Sequence, residues 1–137
     1  MKIKNVQVFD ELNQSAINEL MERDLVGATA IKVVKVARKL DEILVDLNKS
    51  IAIIRNKYTE KDISGAPVHP MEKDDNGNDV PQLNRVKITN PQEFNKELSE
   101  ILQIENELDC DTVTMEEIKG VPISPKNLMI LEWLIKE

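Results

Sequence analysis

The sequence predicts an α+β domain: a long central helix packed with three shorter helices, a small antiparallel sheet from terminal strands, and a protruding β-hairpin. Three observations predict it. An unbroken heptad series runs from Ala30 to Tyr58, strand-like alternation occurs at residues 2–8 and 107–114, and the turn signal Asp75-Asn76-Gly77-Asn78 lies between Pro70 and Pro81. The chain has 137 residues, a length that suits one domain spanning 1–137, with a hairpin or flexible insertion at about 60–89.

Taken in order, Ile3, Val6 and Val8 alternate with polar residues, and the alternation slips at Asn5. Phe9, Leu12, Ala16, Ile17, Leu20 and Met21 then recur at three- and four-residue steps, the spacing of one helix face, until Gly27 breaks the run. In the long helix, Ala30, Ala37, Leu44, Ile51 and Tyr58 take the a positions and Val33, Leu40, Leu47 and Ile54 the d positions. Extending from about Ala28 to Thr59, this helix is roughly 48 Å long, more than a small domain needs to cross its own core.

Gly65, Pro67, Pro70, Gly77 and Pro81 then mark a hairpin with arms near Val68–Glu72 and Arg85–Ile88, its Asn-Gly step suited to a type I′ turn. Asn90, Pro91 and Glu93 form a helix start of cap, first-turn proline and capping-box acid. That helix carries Phe94, Leu98, Ile101 and Leu102 to about Asn106. Residues 107–114 read as a strand pairing with the N-terminal strand, and Met115–Lys119 as a single helical turn. Ser124-Pro125 opens a last helix with Leu128, Met129, Leu131, Trp133, Leu134 and Ile135.

The 18 Lys and Arg against 25 Asp and Glu give a net charge of −7, which opposes nonspecific nucleic-acid binding, because neutralising phosphates needs clustered cations. A single cysteine, Cys110, excludes an internal disulfide and fits a reducing compartment. No apolar run reaches membrane-span length, and Met1–Asn5 leads into no signal-peptide core, so the expectation is a soluble cytoplasmic protein.

Catalytic signals are weak. His69, the only histidine, sits in a Pro-flanked loop without a Ser, Cys or His to form a relay. Glu72–Asp79 places Asp74, Asn76 and Gly77 like positions three, five and six of a calcium loop, but Leu83 stands where a bidentate Glu is required. Asp109 and Asp111 flank Cys110 and oppose thiolate formation. The four glycines form neither a P-loop nor a dinucleotide fingerprint. The reading is of a non-enzyme with no cofactor and no metal, a small hydrolase being the poorest alternative.

Charge placement and the heptad seam speak for partners instead. Residues 31–57 hold seven basic side chains against three acids, and residues 93–117 hold nine acids against Lys96 alone. The acidic stretch is a candidate surface for a basic protein groove, with Glu97, Glu100 and Glu105 as contact residues and Trp133 as an apolar anchor. The length of the seam favours self-association through Leu40, Leu44, Leu47, Ile51 and Ile54, most simply as a homodimer.

Several features carry a resemblance: the opening Lys2-Ile3-Lys4-Asn5-Val6, the Lys-rich helix ending Arg55-Asn56-Lys57-Tyr58, the Gly/Asn hairpin and the Asn95-Lys96-Glu97-Leu98 helix. The ending Ile118-Lys119-Gly120-Val121-Pro122-Ile123-Ser124-Pro125-Lys126-Asn127-Leu128 completes it. The chain resembles a family of small proteins of unknown function encoded by phages and prophages of Gram-positive bacteria. The resemblance implies a phage origin and carries no functional residues. The expected function is that of a phage protein that binds another protein, either inhibiting a host defence or regulatory factor in the infected cytoplasm or acting as a structural or assembly factor of the virion.

Overall fold

A computed structural model describes residues 1–137. Its order is β1 (Lys2–Lys4), α1 (Asn5–Phe9), α2 (Glu11–Met21), α3 (Gly27–Tyr58), β2 (Met71–Lys73), β3 (Asp79–Pro81), α4 (Pro91–Leu102), β4 (Glu105–Glu107), β5 (Val113–Thr114), α5 (Pro125–Ile130), a 3₁₀ turn (Leu131–Trp133) and β6 (Ile135–Lys136). The α+β class and the long helix are as the sequence predicts, with four shorter helices in place of three. Contacts group the chain into two compact units, residues 1–47 with 101–137, and residues 48–100. The second unit thus begins inside α3, earlier than the insertion expected at about 60–89.

In the first unit the strand expected over residues 2–8 is confined to Lys2–Lys4, and the chain turns helical at Asn5. Asn5 causes the turn: its backbone N–H donates to the Ile104 carbonyl at 2.9 Å and its Nδ2 to the Ile101 carbonyl at 2.9 Å. The slip in alternation at Asn5 marks this point. Asp10 then caps α2, its carboxylate accepting from the Leu12 N–H at 2.9 Å. The buried face of α2 is Asn13, Ala16, Ile17 and Leu20, which leaves Phe9, Leu12 and Met21 exposed.

The core of this unit joins Ile3, Val8, Ala16, Ile17 and Leu20 to Val33, Val36, Ala37 and Leu40 of α3, and to Leu108, Val113, Ile118, Leu131, Leu134 and Ile135. β1 pairs antiparallel with β4, Ile3 opposite Asn106. The strand expected over 107–114 is therefore two strands. β4 takes the N-terminal partner, and β5 pairs in parallel with β6, Val113 opposite Ile135. Leu134 and Ile135 are both buried, and where the sequence reads as a helix end Leu134 closes the 3₁₀ turn and Ile135 enters β6. Upstream, Ser124 accepts from the Asn127 N–H at 3.2 Å and Pro125 opens α5, as the sequence indicates.

In the second unit, Ile51 and Ile54 are buried, and the Tyr58 ring meets Phe94 edge-on, with centroids 6.0 Å apart at 74°. The chain then weaves back on itself through hydrogen bonds from Glu60 N to the Lys87 carbonyl, Val68 N to the Glu60 carbonyl and Lys87 N to the Val68 carbonyl, at 2.8–2.9 Å. β2 pairs with β3, and the five residues Asp74–Asn78 join them in place of a two-residue type I′ turn, with the Asp74 N–H donating to the Asn78 carbonyl at 2.9 Å. Only Gly77 has positive φ there, at 80°, while Asp74 Oδ1 accepts from the N–H groups of Asn76 and Asn78 at 2.9 Å each. Asn90 opens α4 with φ at 43°, a left-handed value that Asn tolerates.

Candidate functional site

The expected self-association rests on the heptad seam of α3. Leu40, Leu47, Ile51 and Ile54 are all at most 9% exposed within one chain, and Leu44 is half-buried. The premise that the ridge is too long for its own fold to cover is therefore corrected. The two units cover its two halves separately, and these side chains do not form an open face for a second copy.

The acidic stretch is open. Residues 105–117 contain six acids and no base. Glu107 meets the N-terminal ammonium at 3.3 Å. Lys4 stands opposite Glu105 in the β1–β4 register, but its ammonium donates to Gln103 at 3.2 Å. Glu105, Asp109, Asp111 and Glu116 are exposed and none has an ion-pair partner. The chain folds this way because Leu108 and Val113 are drawn into the core, which throws the polar residues between them outward.

Of the contact residues read from the sequence, Glu105 lies in this unit, while Glu97 and Glu100 lie on α4 in the second. Glu97 receives a 2.8 Å hydrogen bond from Lys57, which holds its carboxyl below the usual range and the Lys57 ammonium above its own. Glu100 is exposed. Trp133 is half-buried and its indole N–H donates to Asn13 Oδ1 at 2.9 Å, so its polar edge is spent inside the fold.

Glu117 is used differently from its acidic neighbours. It accepts from Lys32 at 3.0 and 3.1 Å, from the Thr29 hydroxyl at 3.0 Å and from the Thr114 N–H and hydroxyl at 3.2 Å each. These bonds, led by that from Lys32, lower its carboxyl to about 2. The turn after β5 is thereby fastened to the start of α3. A carboxyl depressed on folding stabilises fully above its unfolded value, 4.5, and that contribution is lost as pH falls toward about 2. Glu117→Gln should therefore lower the urea midpoint at neutral pH, and the two midpoints should converge between pH 4.5 and about 2. An offset that stays constant across that window would show that the carboxylate charge contributes nothing.

A groove lies between α2 and the first half of α3, with a volume of about 300 Å³. Ile17, Ala37, Leu40 and Leu44 give it apolar walls, and Arg38 and Asp41 of α3 stand on its lining with Asn13, Gln14 and Asn18 of α2. Asn13 Nδ2 is buried and has no hydrogen-bond partner, alone among the buried side-chain polar atoms. Sequence reading missed Asn13, although a signal was present: it stands three and four residues before Ala16 and Ile17, a polar side chain on the apolar face of a helix.

The other residues weighed as chemistry have structural roles. His69 Nδ1 lies 2.6 Å from the Arg85 carbonyl and ties the hairpin arms together. Asp74 spends a carboxylate oxygen on its own turn, and Cys110 lies half-buried against the core between β4 and β5. No helix is long and apolar enough to cross a membrane. Comparison with family models, curated proteins and solved structures finds no match for this chain.

Proposed function

We propose that this chain is a non-catalytic, phage-encoded protein that inhibits a host defence or regulatory factor by presenting carboxylates to a basic surface of that factor. The observation that carries the reading is the set Glu105, Asp109, Asp111 and Glu116, exposed and unpaired within a segment that has no base. A single-sign patch of this kind speeds encounter with an oppositely charged partner and disfavours like-charged ones. Other carboxylates of the chain are neutralised internally, Glu117 by Lys32 and Glu97 by Lys57. The phage origin rests on the order and texture of the sequence, and places the protein in the cytoplasm of the infected cell. Burial of the α3 seam residues within the chain supports a different protein as the partner over a second copy.

The test is capture from lysate of a Gram-positive host by the tagged protein, beside a variant carrying Lys at positions 105, 109, 111 and 116. The expected result is a captured basic protein that the variant fails to retain and that salt releases, since exposed charges are screened within about 8 Å at physiological ionic strength. Undiminished capture by a folded variant would refute the reading. Reversal at Glu97, Glu100 and Glu105 is the companion variant, in which Glu97 should matter least because Lys57 already holds it.

A second reading, a virion assembly factor, is favoured by the hairpin region. Ile63 is fully exposed there, on a turn in which Asp62 accepts from the N–H groups of Ser64 and Ala66 at 2.9 and 3.0 Å. Met71 and Leu83 are exposed as well. Retention of the protein in purified virions, lost on Ile63→Ser, would support assembly; absence from virions would favour inhibition.

A further inference from the structure

The α2–α3 groove combines four properties that the acidic face does not use. Its walls are aliphatic, contributed by Ile17, Ala37 and Leu40 among others. Its volume of about 300 Å³ lies at the lower end of those that hold small ligands. Its lining carries one cation and one anion, Arg38 and Asp41, a turn apart on α3, and neither is in an ion pair.

The fourth property is Asn13, 4% exposed, with an amide donor that has no acceptor. The indole N–H of Trp133 can only donate, so its 2.9 Å bond fixes which end of the Asn13 amide is oxygen. Nδ2 is therefore the unsatisfied end. An unpaired buried donor is costly, and an acceptor at the groove wall would relieve that cost.

We propose that this groove binds a small zwitterionic amphiphile, an aliphatic α-amino acid. Its side chain lies on the aliphatic walls, its carboxylate accepts from Arg38 and, as the Asn13 side chain turns toward the groove, from Nδ2, and its ammonium donates to Asp41. A plain fatty acid would leave Asp41 facing an anion, and an amine would leave Arg38 facing a cation, so the pair selects a head group of both signs. This site is independent of the acidic face, and reversal of Glu105, Asp109, Asp111 and Glu116 leaves it intact.

The experiment is a titration of the ¹⁵N-labelled full chain with three probes, followed at the Asn13 side-chain amide and the Trp133 indole. The probes are L-leucine, 4-methylpentanoate, which lacks the ammonium, and leucinamide, which lacks the carboxylate. The expected result is a saturable shift at both resonances in the millimolar range or below, several-fold tighter for L-leucine than for either other probe. Asp41→Ala should erase the preference over 4-methylpentanoate, and Arg38→Ala the preference over leucinamide. Both residues are exposed on α3, so these variants test the head-group contacts without disturbing the core. Absence of a saturable shift with L-leucine, or equal binding of all three probes, would overturn the proposal.

Discussion

Replacing Val36 with Asp abolishes the cooperative fold of the first unit. Val36 is 0% exposed, in the middle of the cluster that joins α2, α3 and the C-terminal segment. A carboxylate there loses its hydration with no cation or donor to replace it, a penalty of several kcal/mol per ion even after relaxation. The removed side chain forfeits about 1.5–3 kcal/mol of apolar burial besides. Together these approach the roughly 5–15 kcal/mol that separates a small folded domain from its unfolded chain.

Val45→Asp is the control on the same helix. Val45 is 52% exposed, so the change should shift stability by no more than about 0.5 kcal/mol. Circular dichroism during heating distinguishes the two: a broad, low-amplitude change for Val36→Asp and a wild-type-like transition for Val45→Asp. If Val36→Asp instead melts cooperatively while its solution mass halves, the apolar face of α3 lies between two chains and not within one.

Ending the chain at Ile130 has an effect of similar size. The segment beyond contains Leu131 and Leu134, both 0% exposed, and Ile135 at 8%. At about 1.5–3 kcal/mol for each fully buried aliphatic side chain, their loss removes roughly 5–9 kcal/mol. The truncation also strips β5 of its partner, breaking the bonds from Val113 N to the Leu134 carbonyl at 3.0 Å and from Met115 N to the Lys136 carbonyl at 2.8 Å. Asn13 then loses the Trp133 donor as well. The truncated chain should show collapsed methyl dispersion in its proton spectrum and fast exchange of the Val113 amide. A spectrum with wild-type dispersion would mean that the C-terminal segment is an accessory to the core and not part of it.

Much of the fold was legible in the sequence, for physical reasons. A heptad pattern of nine apolar positions leaves one helical solution, and α3 runs from Gly27 to Tyr58 as that pattern implies. Ser124-Pro125 and Asn90-Pro91 are local signals whose meaning does not depend on distant residues, and both helices begin where they indicate. The errors fall where local pattern and tertiary demand diverge. Val6 and Val8 continue the alternation of β1, yet Asn5 finds carbonyl partners at the end of α4 and the chain coils instead.

Ile135 continues the apolar run of α5, yet the edge of β5 needs a partner and takes Ile135 and Lys136 as extended chain. The largest misjudgement concerned α3 itself. Counting turns gives the length of a helix but not the number of neighbours available to cover it, and the sequence did not reveal a second unit beginning at Asn48. For the candidate sites, charge was readable in advance because the excess of acids over residues 105–117 is a matter of composition. Which carboxylates are free was not, because Lys32 comes to Glu117 from a helix 85 residues away.

The most direct measurement of the acidic-face proposal is backbone hydrogen exchange of the free chain against its complex with the captured host protein. The carboxylate surface predicts slowed exchange in the complex at residues 109–112 and at Glu116, whose amides flank β5 without a backbone hydrogen bond. Slowing confined to the turns around Ile63 and Leu83, with residues 105–117 exchanging as in the free chain, would contradict it.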